Sequence, residues 1–168
     1  EDDILHRLQN YKKFVVVRHP FERVISAFKN KFEKNYTSSQ YFKKRFGVLI
    51  LKRFRNGDSF NVNGDGVKFS EFVRYMIDTY NDDPSKLNEH WAPVDQLCHP
   101  CDVRYNIIGK YENLEEDAQH ILESINAPKD VHFPPIKPSQ TTKLVDAYID
   151  TLSNDQLEGF DEYTRKRL

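Results

Sequence analysis

The chain has 168 residues and carries 25 Lys and Arg against 26 Asp and Glu, which gives a formal net charge of −1. This balance argues against a domain that binds nucleic acid over a broadly basic surface, although it is compatible with a local anion site. Hydrophobic residues make up 38% and aromatic residues 13% of the chain, so it should fold around a core. Apolar runs are too short to span a membrane, and two cysteines are too few for a disulfide-stapled mini-fold.

The first 35 residues predict a helix, a strand and a second helix. An acidic start precedes apolar residues at helical spacing, which favours a helix over the first ten residues. The β-branched run Phe14–Val17 predicts a short, buried strand of a parallel sheet. Pro20 stands where a helix would begin, and apolar residues then recur at i, i+3, i+4, i+7 and i+11: Phe21, Val24, Ile25, Phe28 and Phe32.

The middle of the chain predicts two further helices. Residues 41–55 form a basic, aromatic stretch that we expect to be helical but broken at Gly47. A loop rich in Gly, Asn and Asp is expected at 56–66. Apolar residues at helical spacing predict an amphipathic helix over 69–80.

The remainder continues the alternation of strands and helices. Residues 81–100 are expected to be irregular, and Tyr105–Tyr111 predicts a second buried strand. Asn113 and Glu116 have capping-box spacing for the following helix, and a proline-rich loop at 128–138 precedes two short helices. This order predicts an α/β fold with a parallel sheet, organised as a single domain over residues 1–168.

The most informative segment is the predicted strand, turn and helix around Arg18. Arg18 ends the first strand, and ligands of open α/β sheets gather at that end of the strands. The following helix start offers backbone N–H groups to an anion, and the guanidinium suits phosphate or sulfate. At about 100° per residue, Ser26 lies nearly opposite the apolar stripe, on the same face as Arg23. Arg18 and Ser26 could hold one phosphate together, or both could be exposed residues of a surface helix.

The same segment resembles the 3′-phosphate-binding motif of the Golgi carbohydrate sulfotransferases. In that family an Arg closes a strand, a Ser follows eight residues later, and both bind the 3′-phosphate of 3′-phosphoadenosine 5′-phosphosulfate (PAPS). The wider string Arg18–Phe32 is similar to the chondroitin/dermatan 4-O-sulfotransferase group, except that His19 replaces a usually acidic residue. Three further segments resemble the family's second shared stretch in order, content and separation: Asn88–Pro93, Leu97–Cys101 and Tyr105–Glu112.

The resemblance covers essentially the whole chain and implies a P-loop-like, three-layer sulfotransferase fold with a parallel sheet. It implies transfer of a sulfuryl group from PAPS to a hydroxyl of a glycosaminoglycan or related glycan, with Arg18 and Ser26 at the cofactor. Arg23, on the same helix face as Ser26, is a further candidate to bind the cofactor. It also implies the Golgi lumen, in a protein anchored in the membrane upstream as a type II protein. We expect the fold to be N-terminally incomplete, because residues 1–13 lack the family's 5′-phosphosulfate loop. A non-catalytic lumenal module that binds a nucleotide phosphate or sulfated glycan is the alternative.

Sulfuryl transfer requires positioning, charge stabilisation and a base that takes the proton of the acceptor hydroxyl. His90 is the candidate base because imidazole titrates near neutral pH, and Glu89 is the alternative. Trp91 is a candidate to stack on an acceptor sugar, and Arg45 is a candidate to attract a polyanionic glycan. Equally, His90 and Trp91 could shape the groove or fill the core, and Arg45 could lie on a solvated helix face.

Cys98 and Cys101, with His99 and His90, suggest a zinc site, but its fourth ligand would have to be improvised. We therefore expect no metal. In an oxidising lumen a disulfide is expected, either between these two cysteines or with one upstream, and free thiols remain an alternative. Asn35-Tyr36-Thr37 is an N-glycosylation sequon, which is compatible with a lumenal protein.

Overall fold

The computed structural model describes residues 2–55, 61–136 and 141–165, and it confirms a chain of the α/β class with a parallel sheet. Two strands pair in the described residues, β1 (Phe14–Val17) and β2 (Ile107–Lys110). The α-helices of the described residues are α1 (Asp2–Asn10), α2 (Pro20–Phe28), α3 (Thr37–Phe42), α4 (Val48–Phe54), α5 (Phe69–Asp82), α6 (Val94–Cys98), α7 (Pro100–Val103), α8 (Leu114–Ser124), α9 (Val145–Ile149) and α10 (Asn154–Arg165).

The chain divides into two compact units. The first comprises Glu1–His19 and Val94–Ser139, and it contains both strands with α1, α6, α7 and α8. The second comprises Pro20–Pro93 and Gln140–Leu168, and it contains the remaining helices of the described residues. The division at His19 falls between β1 and α2.

The parallel sheet of the first unit places Phe14 opposite Ile107 and Val17 opposite Lys110. The predicted positions of both strands are confirmed, but their predicted burial is wrong. Phe14 is 52% and Ile108 65% exposed. Side chains alternate between the faces of a strand, and α8 packs on the face that carries Gly109, so Ile108 points away from that helix.

The helices near β2 differ from the prediction in two details. The stretch predicted to be irregular includes the short helices α6 and α7. The predicted capping box at Asn113 is wrong, because its side chain makes no capping hydrogen bond. Instead, a 3₁₀ turn over Tyr111–Asn113 leads directly from β2 into α8. The backbone N–H of Leu114, the first residue of α8, donates to the carbonyl oxygen of Tyr111 in that turn.

The second unit is built around an aromatic and aliphatic core. The apolar stripe predicted for the second helix is confirmed, and it continues into a π-helical segment at Lys29–Glu33 that carries Phe32. Fully buried side chains come from several elements: Ile25, Ile50, Leu51, Phe72, Val73, Met76, Trp91 and Phe160. Burial of each large apolar side chain contributes roughly 1.5–3 kcal/mol, so this cluster is the main source of stability in the unit.

Gly47 does not break its helix, contrary to the prediction. The helical backbone continues from α3 through a π-helical segment at Lys43–Gly47 into α4. A Cβ on Gly47 would lie 2.5 Å from the carbonyl oxygen of Gly64, so glycine is required for contact with the 61–66 loop. Gly64 has a φ of +76° and packs against the backbone of Lys43. The two glycines therefore allow loop and helix backbones to touch.

The predicted amphipathic helix is confirmed as α5, and an ion pair holds its first turn. The backbone N–H of Lys68 donates to Oε2 of Glu71 at 2.8 Å, which caps the helix. Arg55 donates to both carboxylate oxygens of Glu71, at 2.7 and 2.9 Å. The 56–66 loop between these elements is described only from residue 61, where it forms turns.

The C-terminal part contains the two predicted helices, α9 and α10, which pack against α2 and α5 respectively. The proline-rich loop predicted at 128–138 is irregular as far as residue 136, and its last two residues lie outside the described part of the chain. Within the described residues, the helices are all too short or too polar to cross a membrane.

Candidate functional site

Arg18 follows β1 at the carboxyl edge of the sheet. Its guanidinium carbon lies 4.7 Å from the ring centroid of Tyr111, which follows β2 at the same edge. The backbone N–H of His19 donates to Oε1 of Glu112 at 2.7 Å. This edge therefore gathers a stacked guanidinium, a phenol and a carboxylate. The His19 N–H, just before the start of α2, is therefore already bound by Glu112.

Tyr111 and Glu112 were not identified as site residues by sequence reasoning. The signal was available, because both follow the second predicted strand. The carboxyl ends of adjacent parallel strands meet at one edge, so the residues after β2 must lie beside those after β1.

Ser26 lies half-buried on α2, in the second unit, whereas Arg18 lies in the first. The face of α2 that carries Ser26 is not simply a solvated face, because Glu22 is buried and Arg23 is half-buried. The joint phosphate site of Arg18 and Ser26 stays a prediction. A guanidinium and a hydroxyl are chemically suited to the 3′-phosphate.

Arg23 connects α2 to the turn that carries His90. Its Nη1 donates to the carbonyl oxygen of Ala92 at 2.6 Å, and its Nη2 donates to that of Glu89 at 2.9 Å. Two parallel bonds from one planar group fix the position of this turn. The predicted place of Arg23 at the cofactor stays a prediction, whereas these bonds show that it positions the turn of the candidate base.

The imidazole of His90 is held in one orientation. Its Nδ1 lies 2.8 Å from Oδ1 of Asn88 and 3.3 Å from Oε1 of Glu89. The backbone N–H of His90 donates to the same Asn88 oxygen at 3.1 Å, so that atom is the carbonyl oxygen of the amide. Because both neighbours accept, Nδ1 carries the proton, and the lone pair of the neutral ring lies on Nε2.

The surroundings of His90 keep its imidazole neutral. Burial lowers its pKa below the ordinary value of 6.5, and the charge of Lys31 lowers it further. Glu89 opposes these effects and Arg23 adds to them. A neutral imidazole with an available Nε2 lone pair can accept a proton from a hydroxyl at neutral pH. Glu89 is largely exposed and points at Nδ1, which suits an orienting role.

Trp91 does not stack on a sugar in this structure, which corrects that expectation. Its side chain is 0% exposed and packs edge-to-face against Phe46 and Phe72, with ring centroids 5.0 and 5.3 Å apart. Tyr163 donates a hydrogen bond to its carbonyl oxygen. No face of the indole is therefore open to an acceptor. Its Nε1 is buried without a hydrogen-bond partner among the described residues.

Arg45 lies exposed in the π-helical segment Lys43–Gly47, with its guanidinium carbon 5.5 Å from the ring centroid of Phe46.

The two cysteines are in the first unit, and both are free thiols, with Cys98 half-buried and Cys101 exposed. A Cys98–Cys101 disulfide is therefore not formed. Over residues 2–55, 61–136 and 141–165, no three His, Cys, Asp or Glu side chains are grouped to hold a metal ion.

Comparisons with known proteins agree on one family. The model of the sulfotransferase family matches residues 1–168. Mouse carbohydrate sulfotransferase 11 is 44% identical over 142 residues, which are 83% of this chain and 40% of that protein. Human carbohydrate sulfotransferase 14 is 45% identical over 133 residues, 79% of this chain and 34% of that protein. Human carbohydrate sulfotransferase 9 is 43% identical over 136 residues, 80% and 30% of the two chains.

No solved structure matches the chain significantly. The chain spans at most 40% of the length of the three relatives described above. The family match nevertheless extends from its first to its last residue and includes the sheet edge at Arg18 and the turn of His90. It confirms the resemblance found in the sequence, and the chain belongs to the sulfotransferase family.

Proposed function

We propose that the protein is a PAPS-dependent carbohydrate O-sulfotransferase. The observation that carries this proposal is the turn of His90, where Asn88 and Glu89 orient a neutral imidazole and Arg23 holds the backbone. Such a group is suited to remove a proton from a sugar hydroxyl during attack on a sulfuryl group. Membership of the sulfotransferase family and identity to carbohydrate sulfotransferases support the reaction class.

In this proposal each site residue has a defined part. Arg18 and Ser26 bind the 3′-phosphate, PAPS supplies the sulfuryl group when bound, and Nε2 of His90 accepts the hydroxyl proton. Tyr111 keeps the Arg18 guanidinium in place by stacking. Arg23 keeps the turn of His90 fixed against α2.

Replacement of Arg18 by Ala tests the nucleotide site. Titration of the chain with 3′,5′-adenosine bisphosphate should show binding that R18A weakens about 10- to 100-fold, because a charged hydrogen bond contributes roughly 1.5–3 kcal/mol. Ser26→Ala should weaken nucleotide binding less, since the Ser26 hydroxyl carries no charge. Arg7→Ala is the matched control, because Arg7 lies in the same unit in an exposed pair with Asp3. Equal affinity of wild type and R18A, or no binding by either, would contradict the assignment.

We propose a polyanionic acceptor of the chondroitin or dermatan type, on the strength of the Arg18–Phe32 resemblance. We assign Arg45 to the attraction of this acceptor, since the exposed guanidinium of Arg45 is accessible to a sulfated chain.

We also propose that residues 1–168 belong to one sulfotransferase domain of a type II protein of the Golgi membrane. Nucleotide binding without transfer to any glycan would instead support a non-catalytic lumenal module.

We further propose that the protein is a glycoprotein modified at Asn35. Asn35 and Thr37 of the sequon are exposed. Oδ1 of Asn35 accepts a hydrogen bond from Nζ of Lys43 at 2.8 Å. N-glycosylation replaces a hydrogen on Nδ2 and leaves Oδ1 unchanged, so this bond is compatible with the modification.

Translation of the chain with an added signal peptide in the presence of microsomes should yield one glycoform that an N-glycan amidase removes. Thr37→Ala should abolish the mass increase while the Asn35–Lys43 hydrogen bond stays in place. Thr37→Ser keeps the sequon, so the mass increase should be retained. An unmodified wild-type chain in the lumen would refute the assignment.

A further inference from the structure

Lys31 is a buried cation in the second unit. It lies in the π-helical segment Lys29–Glu33 and is only 9% exposed. Its Nζ lies 4.4 Å from the ring centroid of Phe42. Within the described residues, this ammonium has no hydrogen bond and no ion pair. Removal of an ammonium from water is costly without a counter-charge, and one aromatic ring compensates for only part of that cost.

His90 contacts the same aromatic ring. The imidazole meets Phe42 edgewise, with ring centroids 5.0 Å apart and an interplanar angle of 71°. The ammonium of Lys31 and the imidazole of the candidate base therefore contact the same ring. Lys31 is also close enough to His90 for its charge to lower the pKa of the imidazole.

Positive charges outnumber negative charges among the groups that act on His90. The charged groups that act on His90 are Lys31 from the π-helical segment, Arg23 from α2 and Glu89 from the turn itself. Phe42, which α3 contributes, is uncharged. The carboxylate of Glu89 is 67% exposed and contacts His90. Among the described residues it forms no ion pair with Lys31. This arrangement leaves a buried positive charge for which an anionic ligand would be the counter-charge.

We propose that Lys31 and His90 form a subsite for a single oxyanion of the substrates, next to the reacting hydroxyl. The inference rests on the proposed function and adds a residue to it. A sulfonate or a carboxylate fits this chemistry, because an ammonium binds such groups as a point charge. The two sources in the proposed reaction are the transferring sulfuryl group and the carboxylate of an acidic sugar in the acceptor.

Occupation of the subsite has a consequence for the base. An anion beside Lys31 offsets the charge that disfavours protonation of His90. The affinity of Nε2 for a proton therefore rises when the substrate group is in place. In the free protein the same imidazole stays neutral and ready to accept a proton.

The experiment follows the imidazole signals of His90 by NMR in the 168-residue chain. Sodium sulfate and sodium glucuronate are titrated separately, with sodium chloride used to keep the ionic strength constant. We expect a saturable shift of the His90 signals and a higher His90 pKa with the preferred anion. The anion that binds with the higher affinity identifies the source. Preference for sulfate indicates the sulfuryl group, and preference for glucuronate indicates an acceptor carboxylate.

Lys31→Met, which keeps the apolar stem, should weaken the response at least tenfold and raise the His90 pKa of the free protein. Lys31→Gln provides a second uncharged variant if K31M unfolds, and Lys31→Arg should restore the response. Lys29→Met is the matched control, because Lys29 lies in the same segment with its Nζ 5.9 Å from the ring centroid of Tyr148. It should behave as wild type.

An unchanged response in both K31M and K31Q, or no response of the wild type to either anion, would overturn the inference. These measurements need no turnover. Loss of the Lys31 effect is therefore distinguishable from failure of the proposed function, which the nucleotide titration of R18A and a transfer assay test separately.

Discussion

Replacement of His90 by Gln is expected to lower the rate of sulfuryl transfer by about 10²- to 10⁴-fold, the usual contribution of a positioned general base. Binding of 3′,5′-adenosine bisphosphate should stay unchanged, because His90 is not assigned to the nucleotide. The measurement is PAPS-dependent transfer to a chondroitin or dermatan acceptor, in a form of the protein for which turnover has been established. Full transfer by H90Q would exclude His90 as the base.

The pH dependence of transfer provides a second test of the same residue. A base works in its neutral form, which predominates above its pKa. Because burial and Lys31 lower the pKa of His90 in the free protein, the acid limb of the kcat/KM profile, which reports the free protein, should lie below pH 6.5. Glu89→Gln removes the negative charge that raises the pKa of His90. The acid limb of the E89Q profile should therefore lie at still lower pH, with a modest loss of rate. If E89Q abolishes transfer and H90Q does not, Glu89 is the base.

Replacement of Gly64 by Ala is expected to lower the free energy of unfolding by about 3 kcal/mol or more, which is typical of steric overlap in a packed site. A Cβ at this position would lie 1.9 Å from the carbonyl oxygen of Lys43 and 2.8 Å from the backbone nitrogen of Val48. These are backbone atoms of a helical segment and cannot move away as a flexible side chain would. Urea unfolding followed by circular dichroism measures the effect.

Gly66→Ala is the matched control for this loop. Gly66 also has a positive φ, +82°, but a Cβ there would meet nothing within 4 Å. Only the conformational cost remains, about 1–2 kcal/mol for an L-residue in the left-handed region. Equal destabilisation by the two substitutions would show that close contact at Gly64 is not the reason for its glycine.

Local patterns in the sequence predicted most of the elements. The spacing of apolar residues identified α2 and α5, and the run of β-branched residues identified β1, because each pattern depends on neighbours along the chain. The role of Gly47 could not be read in this way. It depends on the Gly64 carbonyl, which comes from a different part of the sequence. The exposure of Ile108 similarly depends on which face of the sheet α8 covers.

The candidate site was likewise predictable from the sequence only in part. Arg18 could be proposed from its place at the end of a predicted strand and His90 from the chemistry of imidazole, and both assignments stay predictions. The burial of Trp91 could not be predicted, since a tryptophan next to a candidate base is equally compatible with a groove or a core. The contribution of Lys31 also depends on packing, because only the fold brings it to the ring that His90 contacts.

The amide of Asn88 separates two properties of the histidine that a carboxylate would join. An aspartate at this position could accept from Nδ1 with similar geometry, but its negative charge would stabilise imidazolium and move the resting state of the ring towards the protonated form. The uncharged acceptor fixes the direction of the Nε2 lone pair without that electrostatic effect. The orientation and the basicity of the imidazole are therefore set by different neighbours. Substitutions at Lys31 and Glu89 could change the pH at which His90 accepts a proton while the geometry of proton transfer stays constant.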